Sequence, residues 1–210
     1  MPVSAKICGL STPETLGAAV AGGARHAGFV LFDASPRNVA VERLITLAAL
    51  VPGHVGRVGV FVDPDDALIE RAAPYLDVLQ LHGTAPSRVA AIRAQHGLET
   101  WAAVAVKTRA DLDAAEDYVG AADRILYDAK TPPGAALPGG MGLRFDWTLL
   151  DGFAHPLPWG LSGGLDPENV AEAIRRTRAT LVDVSSGVES APGVKAVDKV
   201  VAFLQAVAAS

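Results

Sequence analysis

Residues 57–83 read RVGVFVDPDDALIERAAPYLDVLQLHG. Arg57–Val62 (RVGVFV) is rich in β-branched and aromatic residues, the composition of a strand. Asp63–Asp66 (DPDD) follows, with proline and acidic side chains that suit a helix N-terminus. Pro64 therefore opens a helix that runs to about Ala73. Asp77–Leu81 (DVLQL) is a second apolar run and Gly83 closes the stretch. A strand, a crossover helix and a second strand form one unit of a parallel sheet.

The same unit recurs in both directions along the chain. Toward the N-terminus, Val3–Cys8 and His26–Phe32 (HAGFVLF) read as strands. Pro13–Ala21 reads as a helix with Ser11 or Thr12 as its N-cap, and Val39–Leu50 as another, with Leu44, Leu47 and Ala48 on one face. Toward the C-terminus, Pro86–Gln95 is a helix, Thr100–Val106 a strand, Arg109–Val119 a helix and Arg124–Asp128 (RILYD) a strand. Thr131–Gly142 (TPPGAALPGGMG) holds too much Gly and Pro for either regular element. Its length is one at which loops carry function. Phe145–Leu150 is a short helix. Leu157–Leu161 is a seventh strand, and a helix follows from Pro167 to Arg176. Leu181–Ser185 is an eighth strand, Ser186–Glu189 a single turn and Ala196–Ala208 the final helix. Eight nearly continuous apolar strands at a period of roughly 25 residues fit a closed (β/α)8 TIM barrel better than an open doubly wound sheet. No linker or composition shift divides the chain, so residues 1–210 are predicted to form one barrel domain.

Composition narrows the chemistry. Half of the 210 residues are hydrophobic and a fifth are charged, which excludes dominant disorder. The net charge of −5 excludes a general nucleic-acid surface. Met1–Gly9 lacks a basic region followed by a long apolar run, and no apolar stretch reaches 18 residues, so neither export nor membrane insertion is predicted. The single cysteine, Cys8, cannot form an internal disulfide and suits a reducing cytoplasm. His26, His54, His96 and His155 are scattered without metal-ligand spacing, so no metal is expected. No Walker-type or GxGxxG sequence supports nucleotide use.

In a barrel of this kind the site lies at the carboxyl ends of the strands. Ser162-Gly163-Gly164 follows strand seven and Ser185-Ser186-Gly187 follows strand eight. Backbone N–H groups freed at such turns converge on an anion, so Gly163, Gly164, Ser185, Ser186 and Gly187 are candidates for phosphate binding. Ordinary strand-to-helix turns are the alternative. Cys8 ends strand one, and Lys6 shares its face, where an ammonium lowers a thiol's pKa. A reactive base and a buried structural cysteine both stand at this point. Asp128 closes an apolar strand, where desolvation raises a carboxyl's pKa and suits a general acid. An N-cap or an ion pair with Lys130 is the alternative. Asp183, on the face of Ser185, either positions substrate hydroxyls or makes a structural hydrogen bond. Gln80 and His82 share one parity and are predicted to face the barrel interior near its mouth. A satisfied structural histidine is the plainer reading of His82. Arg37 is a candidate carboxylate clamp or a solvated loop residue.

Lys6-Ile7-Cys8-Gly9, Gly28-Phe29-Val30 leading to Ser35-Pro36-Arg37, Val58–Val62 and Gln80-Leu81-His82-Gly83 resemble the phosphoribosylanthranilate isomerase family. So do Gly139-Gly140, Phe145-Asp146-Trp147, Leu161–Leu165, Pro167–Val170 and Val182–Glu189. The matches run in the family's order and spacing from residue 6 to Gly193. The resemblance implies a (β/α)8 barrel in tryptophan biosynthesis, with a phosphosugar substrate, no cofactor, and either a monomer or a homodimer. It implies an Amadori rearrangement of N-(5-phosphoribosyl)anthranilate to 1-(2-carboxyphenylamino)-1-deoxyribulose 5-phosphate. Cys8 then matches the general base, Asp128 the general acid and Arg37 the holder of the anthranilate carboxylate. Gly163-Gly164 and Ser185-Ser186-Gly187 match the phosphate site.

The chain also departs from the family pattern. After Gly139-Gly140 the family usually has Thr or Ser and then Gly-Lys, where Met141, Gly142 and Leu143 stand, with Arg144 next. Strand five commonly carries a lysine where Ala102 aligns. Strand two usually ends in a Tyr-Pro-Lys-like run, here Phe32-Asp33-Ala34. These changes bear on affinity for an anionic substrate and on loop closure. Another phosphosugar isomerase or epimerase, or a non-catalytic phosphate-ligand barrel, would share the two turns. Neither explains Cys8, Arg37 and Asp128 in matching places.

Overall fold

In the computed structural model, which describes residues 3–132, 139 and 142–210, eight strands pair in sequence order and the last closes on the first. They are β1 (Ser4–Cys8), β2 (His26–Val30), β3 (Gly56–Val62), β4 (Val78–His82), β5 (Glu99–Val106), β6 (Arg124–Ala129), β7 (Trp159–Leu161) and β8 (Leu181–Val184). Every barrel pairing is parallel. Six α-helices line the outside among the described residues: α1 (Pro13–Ala21), α2 (Val41–Ala48), α3 (Asp66–Ala72), α4 (Pro86–His96), α5 (Val170–Thr177) and α6 (Val197–Ala208). Thr12 caps α1 by accepting from Thr15 N, and Asp65 caps α3 by accepting from Leu68 N. The closed barrel predicted from the strand–helix period is the fold observed. Among the described residues no helix is long and apolar enough to cross a membrane. Nor are three or more His, Cys, Asp or Glu grouped to hold a metal ion there.

Several boundaries differ from the sequence expectations for local reasons. The segment between β5 and β6, Arg109–Tyr118, is a 310-helix. Its buried residues, Leu112 and Ala115, are three apart, and a threefold helix stacks such positions one above the other. Residues 147–150 are likewise 310. β2 stops at Val30 because the Phe32 N–H donates to the Asn38 side chain instead of continuing the ladder. α5 starts at Val170 rather than Pro167, since Asp166 accepts from the N–H groups of Glu168 and Asn169 in a side-chain turn. The turn expected at Ser186–Glu189 is a 310 turn, Ser186–Val188, and a short antiparallel hairpin follows it. Its strands are β9 (Glu189–Ala191) and β10 (Val194–Lys195). Of the expected 131–142 loop, residues 133–138, Gly140 and Met141 lie outside the described residues.

Side chains alternate between two apolar layers, as the pleat requires. Ile7, Phe29, Phe61, Leu79, Leu81, Tyr127 and Val182 point outward against Leu44, Ile69, Val89 and Phe203 of the helices. Cys8, Val30, Val58, Val60, Val78, Trp101, Leu126 and Leu181 fill the barrel interior. On that inner parity the upper positions turn polar: Lys6, Gln80, Asp128 and Asp183 are all buried. The fold thus gathers charge on one inner ring, near the carboxyl ends of the strands.

Candidate active site

Cys8, Arg37, Gln80, His82, Asp128, Gly163, Gly164, Asp183, Ser185 and Ser186 line one cavity at the carboxyl-terminal mouth of the barrel. Its other wall is apolar, from Val30, Phe32, Val60, Val62 and Leu143. Gly187 stands behind it. A Cβ there would overlap the Leu165 carbonyl oxygen. The missing side chain seats the Ser186–Val188 turn on Leu165 rather than opening the cavity.

The interior charges bear on the protonation of Cys8 and Asp128. Lys6 is fully buried, and its ammonium donates to Asp183 Oδ1 at 2.9 Å. Burial works against this charge, yet Asp183 and Cys8 hold the Lys6 pKa above its ordinary value. Burial pushes the Cys8 thiol up, and the neighbouring ammonium only partly offsets it. The low-pKa thiol expected from Lys6 is therefore not what the barrel holds: desolvation of a thiolate outweighs one nearby cation. Burial, reinforced by the Asp183 carboxylate, pushes Asp128 up to about 7. Asp128 Oδ1 accepts from the Ala129 N–H at 2.8 Å. The alternative ion pair with Lys130 does not form, because Lys130 bonds Asp111 at 2.8 Å. Asp128 is thus a carboxyl that can hold a proton near neutrality and release it into a cavity.

Gln80 and His82 do face inward, with Gln80 Nε2 and His82 Nε2 2.7 Å apart. Burial lowers the His82 pKa to about 4, so its ring is neutral at physiological pH. Gln80 Oε1 is buried with no hydrogen-bond partner among the described residues. Arg37 is not a solvated loop residue. It is buried, and its Nε and Nη2 donate to Glu189 Oε1 and Oε2 at 2.7 and 2.8 Å. Lys195 donates to the same Glu189 Oε1 at 2.5 Å and to the Ser185 carbonyl at 2.9 Å. Burial opposes the charge of Glu189, but Arg37 and Lys195 hold its carboxyl below the ordinary value.

The two glycine turns have the geometry of close backbone approach. Gly163 and Gly164 carry φ of +86° and +64°, in the left-handed region that glycine enters at no steric cost. A Cβ on Gly163 would come within 2.8 Å of Asp128 Oδ1, and one on Gly164 within 2.7 Å of the Leu143 carbonyl. Gly163 thus lets the turn lie against Asp128, and Gly164 lets it lie against residues 143–144.

A model of the family described as N-(5'-phosphoribosyl)anthranilate (PRA) isomerase matches residues 5–206. The chain belongs to this family. An N-(5'-phosphoribosyl)anthranilate isomerase from Rhodospirillum centenum is 56% identical over the whole of both chains. The crystal structure of phosphoribosyl anthranilate isomerase from Thermotoga maritima superposes with a TM-score of 0.84 at 35% identity, covering 99% of this chain and 100% of that one. A phosphoribosyl anthranilate isomerase solved with reduced 1-(o-carboxyphenylamino)-1-deoxyribulose 5-phosphate gives 0.83 at 33% identity, with the same coverage. Among these isomerases the departures of the chain take on a location. Ala102 packs in the outer layer against the helices, so a side chain there cannot reach the mouth. The alanine does not remove a cation from the cavity. Leu143 does line the cavity, and Met141 lies outside the described residues. Glu189 stood in a family-like run, but its bonds to Arg37 and Lys195 were not foreseen, and Lys195 itself was missed. The only signal for Lys195 was a lysine close after the Val182–Glu189 run, and the hairpin that turns it back was too short to read.

Proposed function

We propose that this chain isomerises N-(5-phosphoribosyl)anthranilate to 1-(2-carboxyphenylamino)-1-deoxyribulose 5-phosphate by general acid–base catalysis within one barrel domain, residues 1–210. The observation that carries the acid–base assignment is the pairing, in one cavity, of a cysteine with a buried carboxyl poised near 7. Asp128 gives its proton to the furanose ring oxygen. The C1–O bond breaks as the anthranilate nitrogen lone pair forms the Schiff base. Cys8, as thiolate, takes the C2 proton, and the electrons of that C–H bond become the C1=C2 bond of the enolamine. Loss of the O2 proton and protonation at C1 then give the ketone. The base must act deprotonated and the acid protonated, which requires two separately tuned groups.

The remaining residues hold the substrate by its ends and its middle. Arg37, oriented by Glu189, meets the anthranilate carboxylate. Gly163, Gly164, Ser185 and Ser186 form the phosphate end, with Gly187 seating their turn from behind, built from backbone N–H groups and hydroxyls rather than from a lysine. Asp183, Gln80 and His82 lie between and meet the sugar hydroxyls. Anchors at both ends turn the proton transfers into steps within one complex. The lone thiol suits a reducing cytoplasm.

The test is a fluorescence assay for consumption of phosphoribosylanthranilate generated in situ. Wild type turns over, and Cys8→Ala and Asp128→Asn each lose roughly a hundredfold to ten-thousandfold in kcat with the fold intact. A wild-type protein that binds a phosphosugar analogue without turnover would instead make this a binding barrel.

A further inference from the structure

The mechanism needs Cys8 and Asp128 in opposite protonation states, and two groups can enforce this: Lys6, buried beneath the cavity, and Asp183, in its wall. Lys6 and Asp183 are register partners on β1 and β8, and both point inward. Lys6 and Cys8 also share a face, two residues apart, so the ammonium stands beside the thiol. Both press on Gly28. A Cβ there would stand 3.0 Å from Lys6 Cε and 3.2 Å from Cys8 Sγ. The missing side chain is what lets ammonium and thiol share one niche.

The other end of the pair faces the acid. Ser162 Oγ donates to Asp183 Oδ2 at 3.3 Å. The adjacent Gly163 lies so close to Asp128 that a Cβ would be 2.8 Å from its Oδ1. Between β6 and β8, the inward residue of β7 is Gly160, whose missing side chain leaves Leu126 and Leu181 to close the gap below. The order around this part of the barrel is thus Asp128, Asp183, Lys6, Cys8, a carboxylate beside the acid and an ammonium beside the thiol.

We propose that Lys6, as a positioning residue, and Asp183, in addition to meeting the sugar, set the protonation of the catalytic pair, the ammonium stabilising the Cys8 thiolate and the carboxylate keeping Asp128 protonated. This rests on the assignment of Cys8 as base and Asp128 as acid. Among the described residues, the other charged or titratable groups near these two are held by other partners or neutral. Lys195 acts on Cys8 from β10 but is held by Glu189 and Ser185. His82 approaches Asp128 from β4 and is neutral. Arg37, beside Gly9, is bonded to Glu189. Replacing the pair by neutral groups would remove the nearest charge from each, leaving burial, the Ala129 N–H and the more distant Lys195.

The test reads both titrations without substrate. Cys8 is the only cysteine, so its alkylation by iodoacetamide against pH reports one thiol, and carboxyl-carbon NMR reports Asp128. Lys6→Met moves the Cys8 midpoint up by about one pH unit or more, a roughly tenfold slower alkylation at pH 8. Asp183→Asn moves both midpoints down. Lys6→Met alone strands a buried carboxylate and can unfold the chain. The double variant Lys6→Met/Asp183→Asn removes both charges and still moves Asp128 down and Cys8 up. Folded variants whose two midpoints stay where they are in wild type overturn the proposal. Absent wild-type turnover with shifted midpoints would overturn the isomerase reading instead.

Discussion

Replacing Asp128 by Asn should stabilise this protein, and by an amount that depends on pH. Asp128 is buried and titrates near 7 when folded, against an ordinary value of 3.8. A carboxyl whose pKa is raised on folding weakens the fold as pH climbs from the unfolded value to the folded one. Below about pH 3.8 both states are protonated and Asp128 is neutral in its effect. Above pH 7 the folded chain must carry a desolvated carboxylate, which costs about 4 kcal/mol at 1.36 kcal/mol per pH unit. Asn cannot ionise, and its Oδ1 can still accept from the Ala129 N–H, so the shape and the bond survive. The gain from Asp128→Asn should therefore be about 2 kcal/mol at pH 5 and about 4 kcal/mol at pH 8.5. Urea denaturation of both proteins at the two pH values measures it. A gain that is equal at pH 5 and 8.5, or a loss at both, would refute the claim that Asp128 is held protonated by burial and Asp183. The same variant should be nearly inactive, a trade of stability for function at one residue.

Three further outcomes follow from particular contacts. Gly187→Ala drives a Cβ into the Leu165 carbonyl, a backbone neighbour that cannot rotate away. It should lower stability by about 1–3 kcal/mol, read by chemical denaturation. His82 should stay neutral, with its imidazole NMR shifts constant from pH 8 down to about 5 and moving only near its folded value of about 4. A ring titrating at 6.5 would contradict its burial. Leu143→Lys restores a cation at the rim of the cavity. It should tighten competitive inhibition by inorganic phosphate two- to fivefold at low salt, and lose that gain at high salt. No change at either ionic strength would place the side chain away from the anion.

The strand–helix rhythm, the closure of the barrel and most positions of the cavity wall were legible from residue order. In β4 even the inward face was legible, because Gln80 and His82 alternate with Leu79 and Leu81. In β5 it was not: Ala103 and Ala105 face in, Ala102 and Val104 face out, and all four are apolar. With no polarity difference between the faces, only the closed barrel decides that Ala102 belongs to the helix layer. Short elements escaped for a related reason, since the two strands of the hairpin at Glu189–Lys195 are too brief to show a period.

Sequence by itself determined which side chains stand at the strand ends, because alternation and period are local properties of the chain. Tertiary structure alone decided how those side chains are charged. Lys6 meets Asp183 across 177 residues and Arg37 meets Glu189 across 152, pairings that only barrel closure makes. The thiol of Cys8 is likewise set by the burial of the whole interior, which outweighs the one cation visible two residues away. Desolvation is a sum over everything that surrounds a group, and most of what surrounds these groups is distant in sequence.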